Sequence, residues 1–196
     1  LIAFPRTAAV PTIQPSLAVS ANSEGVELND ISGHWAEKTI QELIDMEIIS
    51  GYPDGSFKPD KIISRAEFAV ILVKALRLQP SSGKTFKDSY LHWAKDYISA
   101  AYAAGIIKGF NEDNFGPDEN IIREEMAVMI FKAAQIAPVS EIKNFKNLIK
   151  ISGWAREAVA AAITAGIIKG YPDGSFRPKA KTTRAEAASI IIRIIK

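Results

Sequence analysis

Three tryptophans set the frame of this sequence. Trp35, Trp93 and Trp154 stand 58 and 61 residues apart, and each is followed by an alanine (Ala36, Ala94, Ala155). Sixteen residues beyond each tryptophan lies a glycine (Gly51, Gly109, Gly170), and fourteen beyond each glycine an arginine (Arg65, Arg123, Arg184). Markers held at constant spacing in three copies mean internal repetition. A repeated unit of this kind cannot bury its apolar face alone, so neighbouring copies must complete one another's core.

Turn-rich stretches, Gln79-Pro80-Ser81-Ser82-Gly83 and Ala137-Pro138-Val139-Ser140, separate the copies. The chain therefore divides into a leader or linker, 1–26, and repeats at 27–80, 81–139 and 140–196, with 27–196 expected to form one structural unit. The leader begins at Leu1 and carries Pro5, Arg6, Pro11 and Pro15, which interrupt an apolar signal core, although Val19-Ser20-Ala21 suits a signal peptidase. It reads equally as the remnant of a signal peptide or as a flexible leader, on a processed or truncated chain.

Each repeat follows one plan. A short lead-in (Leu28-Asn29-Asp30, Phe86-Lys87-Asp88, Phe145-Lys146-Asn147) precedes a first helix that starts near the tryptophan; Ala36, Ile40, Leu43 and Ile44 form its apolar stripe. Ile48-Ile49-Ser50-Gly51 and its counterparts at Gly109 and Gly170 read as the helix stop. The loop Tyr52-Pro53-Asp54-Gly55-Ser56-Phe57 recurs unchanged at 171–176 and has the composition of a tight turn, whereas repeat two reads Phe110-Asn111-Glu112-Asp113-Asn114-Phe115. Ser64-Arg65-Ala66-Glu67 and Thr183-Arg184-Ala185-Glu186 are capping boxes that open a second helix. These second helices are apolar nearly all round, as in Phe68–Val73, Met126–Phe131 and Ala187–Ile195, and so must be buried on every side. An all-α fold follows: three helix-loop-helix repeats around a central three-helix bundle.

Composition narrows the function. The 196 residues carry a net charge of +2, so no broad basic field solicits nucleic acid. No cysteine is present, which removes disulfides and thiolate chemistry, and no run of 18 apolar residues spans a bilayer. His34 and His92 have no counterpart in repeat three, where Gly153 stands, and two histidines make a poor metal site; they read as solvated residues of the first turn. The Pro-Asp-Gly loop lacks the alternating acids and closing glutamate of a calcium loop. No catalytic triad, phosphate-binding loop or metalloprotease motif is present, so no catalytic residue, metal or cofactor is assigned.

The arginine inside the capping box carries most information. At the first helical position a cation is unfavourable by roughly 0.3–1 kcal/mol because it faces the positive end of the helix dipole. Either it pairs with its own Glu67 or a loop aspartate, or guanidinium, free N–H groups and dipole converge on an anion. The tryptophans read chiefly as core or as staples against the lead-in, with stacking on a sugar ring the alternative.

Taken together, these motifs resemble the S-layer homology family: Phe-x-Asp, His/Gly-Trp-Ala, Gly-Ile-Ile-x-Gly-Tyr-Pro-Asp-Gly-Ser-Phe-x-Pro, and Thr-Arg-Ala-Glu before a long helix, over about 27–196. The resemblance implies a pseudo-threefold unit with three outer prongs, and grooves between prongs that bind a secondary cell-wall polysaccharide, which can be peptidoglycan-linked and often carries pyruvate ketals. It implies ligand-binding roles for Arg65, Arg123, Arg184, Gly51, Gly109 and Gly170, with Trp35, Trp93 and Trp154 beside them, on a secreted protein of the bacterial surface or S-layer. Repeat two departs, reading Ile121-Ile122-Arg123-Glu124-Glu125 with no capping hydroxyl and an irregular loop; Arg123 is accordingly expected to anchor the weakest site or none. The rival functions are a protein-binding, lattice-forming scaffold and the anchoring piece of a larger surface hydrolase.

Overall fold

The computed structural model describes residues 28–139 and 150–196. The leader and the third lead-in, Phe145-Lys146-Asn147, lie outside them. Among the described residues there are six α-helices and no β-strand: α1 (Glu37–Asp45), α2 (Arg65–Ala75), α3 (Lys95–Ala103), α4 (Arg123–Ala133), α5 (Arg156–Thr164) and α6 (Arg184–Ile195). The all-α expectation holds, two helices to each repeat.

The second helices start where the capping boxes place them. Ser64 Oγ accepts from Glu67 N while the Glu67 carboxylate accepts from Ser64 N, and Thr183 and Glu186 do the same. In α4 the N-cap is Ile122, so only the Glu125 half of the box survives, at 3.3 Å. The first helices end earlier than expected. The chain turns left-handed at Glu47, Gly105 and Gly166, and Ile48, Ile106 and Ile167 donate back to the carbonyls of Leu43, Ala101 and Ala162. This is a Schellman closure four residues before Gly51, Gly109 and Gly170. Those three glycines belong to the loop and not to a helix stop.

Packing runs from each repeat into the next. α2 lies on α3, α4 on α5, and α6 returns to α1, with α2 also touching α6. α3 and α5 bury small side chains (Ala100 and Ala101; Ala158 and Ala160–Ala162), and small residues favour short distances between packed helices. Behind the helix starts, a ring of backbone hydrogen bonds joins the three repeats: Ile63 N to Thr182 O at 3.0 Å, Thr182 N to Ile121 O at 3.1 Å, and Ile121 N to Ile63 O at 3.2 Å. The last repeat is thus bonded to the first. Phe68, Leu72 and the loop-closing Phe57, Phe115 and Phe176 are fully buried, each contributing about 1.5–3 kcal/mol of apolar burial. Among the described residues no helix is long and apolar enough to cross a membrane.

Candidate functional site

Each capping-box arginine reaches into the following repeat. Arg65 Nε donates to Phe115 O at 3.0 Å and Nη2 to Lys108 O at 3.4 Å. Arg123 treats Phe176 O and Lys169 O in the same way, both at 3.0 Å, and Arg184 closes the cycle on Phe57 O at 2.9 Å and Ser50 O at 3.0 Å. The guanidinium thereby bridges both ends of the neighbouring loop, flanked by its aromatic rings. For Arg184 these are Tyr52 and Phe57, at 4.8 and 4.4 Å from the ring centres. All three arginines are at least 95% buried. Burial draws the Arg65 guanidinium below its ordinary value, and Glu125 opposes that shift.

Both sequence-based readings of these arginines need correction. Their carboxylate partners are the capping glutamates of the next repeat, not their own: Arg65–Glu125 at 3.4 Å, Arg123–Glu186 at 3.5 Å and Arg184–Glu67 at 3.7 Å. Nor are the helix N-terminal N–H groups free for an anion. Arg65 N and Ala66 N donate to Glu119 O and Pro117 O, Arg123 N and Glu124 N to Ala180 O and Pro178 O, and Arg184 N and Ala185 N to Lys61 O and Pro59 O. The dipole's positive end is occupied by backbone carbonyls of the adjoining repeat.

The loops are rigid because their polar groups are internally satisfied. Tyr52 O accepts from Gly55 N, and Asp54 accepts from Ser56 N and Oγ and from Lys58 Nζ. Asp173 repeats this with Ser175 and Arg177. The Ser56 and Ser175 bonds, followed by the Lys58 and Arg177 bonds, hold both carboxyls well below the usual carboxylate range. In repeat two, Asn111 Oδ1 takes over by accepting from Asp113 N and Asn114 N. Asp30 and Asp88 pin the far side of their loops through paired bonds to Phe57 N and Lys58 N, and to Phe115 N and Gly116 N. A side chain at Gly109 would meet Asn111 O at 2.5 Å and Asn114 O at 2.6 Å, and one at Gly51 would meet Ser56 O at 3.0 Å. Only glycine lets those loops close.

One cleft brings the three marker types together. Trp35 from repeat one, Arg123 from repeat two and Gly170 from repeat three line a cavity of about 500 Å³, walled by Tyr171 and Pro172 and by the Glu186–Arg193 face of α6. Arg123 lies 4.7 Å from the Tyr171 ring, and Tyr171 Oη donates to Glu186 Oε1 at 3.0 Å. Burial raises the Tyr171 phenol above its ordinary value, so it stays a donor at neutral pH. The corresponding space beside Arg184, bounded by Ser50, Glu67, Ile71 and Lys74, measures about 10 Å³, roughly the room one water needs. Repeat two's irregular loop surrounds Arg65, whose guanidinium sits 4.3 Å from Phe110, a ring without a hydroxyl. The loop facing Arg123 is the regular one of repeat three, so the irregular loop gives no ground for ranking Arg123 weakest.

Trp35 and Trp154 are not core, whereas Trp93 packs on it. Trp35 is 65% and Trp154 60% exposed, while Trp93 is half-buried against the core. The cause lies one residue on. Ala36, Ala94 and Ala155 fill the buried position at the helix start, which turns the preceding indole outward. His34 and His92 are also not solvated: Nδ1 accepts from Ala36 N at 3.2 Å and from Ala94 N at 3.1 Å, capping the turn, and Nε2 faces Asp60 and Asp118. In repeat three, Gly153 and Lys179 replace that pair. Lys179 instead meets the fully buried Glu124 of repeat two, which also accepts from Ser152 N and Oγ. Sequence reasoning missed Lys169, Tyr171 and Arg193 as cleft residues. The signal for Arg193 was its place as the single charge within Ile190–Ile195.

A model of the S-layer homology domain matches three stretches of this chain, 27–69, 85–127 and 144–188. The chain belongs to the S-layer homology domain family. It is 35% identical over 175 residues to an amylopullulanase of Thermoanaerobacterium thermosulfurigenes, covering 86% of this chain and 9% of that protein. It is 35% identical over 165 residues to the S-layer protein EA1 of Bacillus anthracis, covering 82% and 19%, and 33% identical over 159 residues to a cellulosome-anchoring protein of Acetivibrio thermocellus, covering 75% and 35%. The chain therefore spans about a third or less of these relatives. S-layer homology domains anchor proteins to the cell surface, and this chain is such a module: non-catalytic, wall-binding and located at the surface of a bacterium.

Proposed function

We propose that the module anchors its protein by holding an acidic secondary cell-wall polysaccharide in the cleft between Trp35, Arg123 and Tyr171. One observation carries this reading: an indole 65% exposed stands across a 500 Å³ cleft from a guanidinium whose Nη1 is only loosely paired, 3.5 Å from Glu186. The other two nitrogens of Arg123 are committed to Phe176 O and Lys169 O, which fixes the direction in which Nη1 points. The apolar face of a sugar packs on Trp35, and an acid on that sugar, such as a pyruvate ketal, docks at Nη1. Tyr171 and Thr183 N engage the Glu186 carboxylate and lessen its repulsion of the incoming acid. Arg65 and Arg184 head equivalent clasps, and Gly51, Gly109 and Gly170 admit the loop backbone to each.

The test is sedimentation with purified cell walls, intact and after acid removal of the secondary polymer. Binding to intact walls alone supports the reading, and equal binding to stripped peptidoglycan defeats it. The hydrolase name of the amylopullulanase relative supports a further reading, in which the module tethers a catalytic cargo to the wall.

A further inference from the structure

The cleft holds more positive charge than one acid requires. Arg123, Lys169 and Arg193 line it against a single carboxylate, Glu186. Arg193 is pre-set: Nη1 donates to Ile167 O at 2.9 Å and Nη2 to Ser189 Oγ at 3.2 Å, and among the described residues it pairs with no carboxylate. A guanidinium has five N–H donors, so three remain, Nε–H among them. Lys169 is exposed at the loop edge, and its carbonyl is held by Arg123.

The two cationic ends are well separated. Glu186, beside Arg123, and Arg193 share one face of α6 with Ser189 and Ile190. Seven helical residues rise about 10 Å, more than one pyranose ring spans. The space beside Arg184 has Ser50 and Lys74 where this cleft has Lys169 and Arg193, so it carries one cation where the open cleft carries two; the Arg65 clasp has Lys108 and Lys132 at the same two places.

We infer that Lys169 and Arg193 form a second anion subsite, so that the cleft reads acidic groups on two successive sugars of the polymer. The inference rests on the glycan reading of the cleft above. Trp35 holds the ring between two charge-assisted contacts, one at Arg123 Nη1 and one at Arg193 with Lys169.

The test is calorimetric titration of the full chain with two probes: a methyl glycoside bearing one pyruvate ketal, and a disaccharide bearing an acid on both sugars. The wild-type chain is expected to bind the disaccharide about tenfold more tightly, the effect of one added charge-assisted contact. Arg193→Gln and Lys169→Ala are each expected to abolish most of that gain and to leave the one-acid probe within about twofold. Lys169→Ala, at an exposed side chain, keeps the test valid if Arg193→Gln fails to fold. A disaccharide that binds wild type no more tightly than the one-acid probe overturns the inference and leaves the glycan reading standing. So does an equal loss for both probes in either variant, or a gain that survives in both. If neither probe binds the wild-type chain, both readings fall.

Discussion

Arg184 Nε donates to the carbonyl of Phe57 across 2.9 Å, although the two residues are 127 positions apart. The bond ties the last repeat to the first, and Arg65 and Arg123 make the same bond between the remaining pairs. The residue that most resembles a ligand-binding signature is therefore first a clasp between repeats. At Arg123, where the neighbouring loop leaves room, it also borders an open cleft, whereas the space beside Arg184 is small.

Arg184→Gln should strand Phe57 O and Ser50 O and leave Glu67 without its cation. A loss of about 3 kcal/mol is expected, typical of breaking a buried charged pair on one side. Urea unfolding followed by circular dichroism measures it, and an unchanged midpoint would show that the clasp contributes nothing.

Trp35→Ala should separate binding from stability. The indole is mostly exposed, so the melting transition should barely move, while wall retention falls about tenfold, or about 1.4 kcal/mol. Trp93→Ala should lower the melting temperature more, because Trp93 packs on the core. Equal wall retention by Trp35→Ala and wild type would remove the indole from the site.

Glu124 is fully buried, and positions 66 and 185 carry alanine at the same place in the other repeats. Lys179→Ala should therefore destabilise by about 3 kcal/mol by leaving a buried carboxylate unpaired. Adding Glu124→Ala should recover most of that loss, giving a favourable coupling in a double-mutant cycle. Additive losses would show that the pair is not a unit.

Acid should leave the loops intact until late. Asp54 and Asp173 have depressed carboxyls, so the stability they contribute is fully present above the ordinary carboxylate range and is lost only as pH falls through the depressed values. At about pH 4, where an unperturbed aspartate is half protonated, the Ser56 and Ser175 amide resonances should still be those of neutral solution. Half-titration of those signals near pH 4 would contradict this.

What could be read in advance divides by sequence distance. The capping boxes at Ser64 and Thr183 and the Pro-Asp-Gly turns are closed by partners within four residues, and they stand where the motifs placed them. The targets of Arg65, Arg123 and Arg184 lie 43 to 134 residues away, and no local rule names them. The first helix does not stop at Gly51 because Glu47, four residues earlier, takes the left-handed conformation in which glycine is usual. Trp35 looked like core because aromatic residues beside an apolar stripe usually are; the stripe begins one residue later, at Ala36.

The most direct measurement follows the Trp35 indole N–H and the Gly170 amide by NMR during titration with a pyruvylated cell-wall oligosaccharide. Docking in the cleft predicts saturable shifts of both signals at one affinity, lost in Trp35→Ala. Wall binding that persists while neither signal moves would place the polymer elsewhere and contradict the assignment of this cleft.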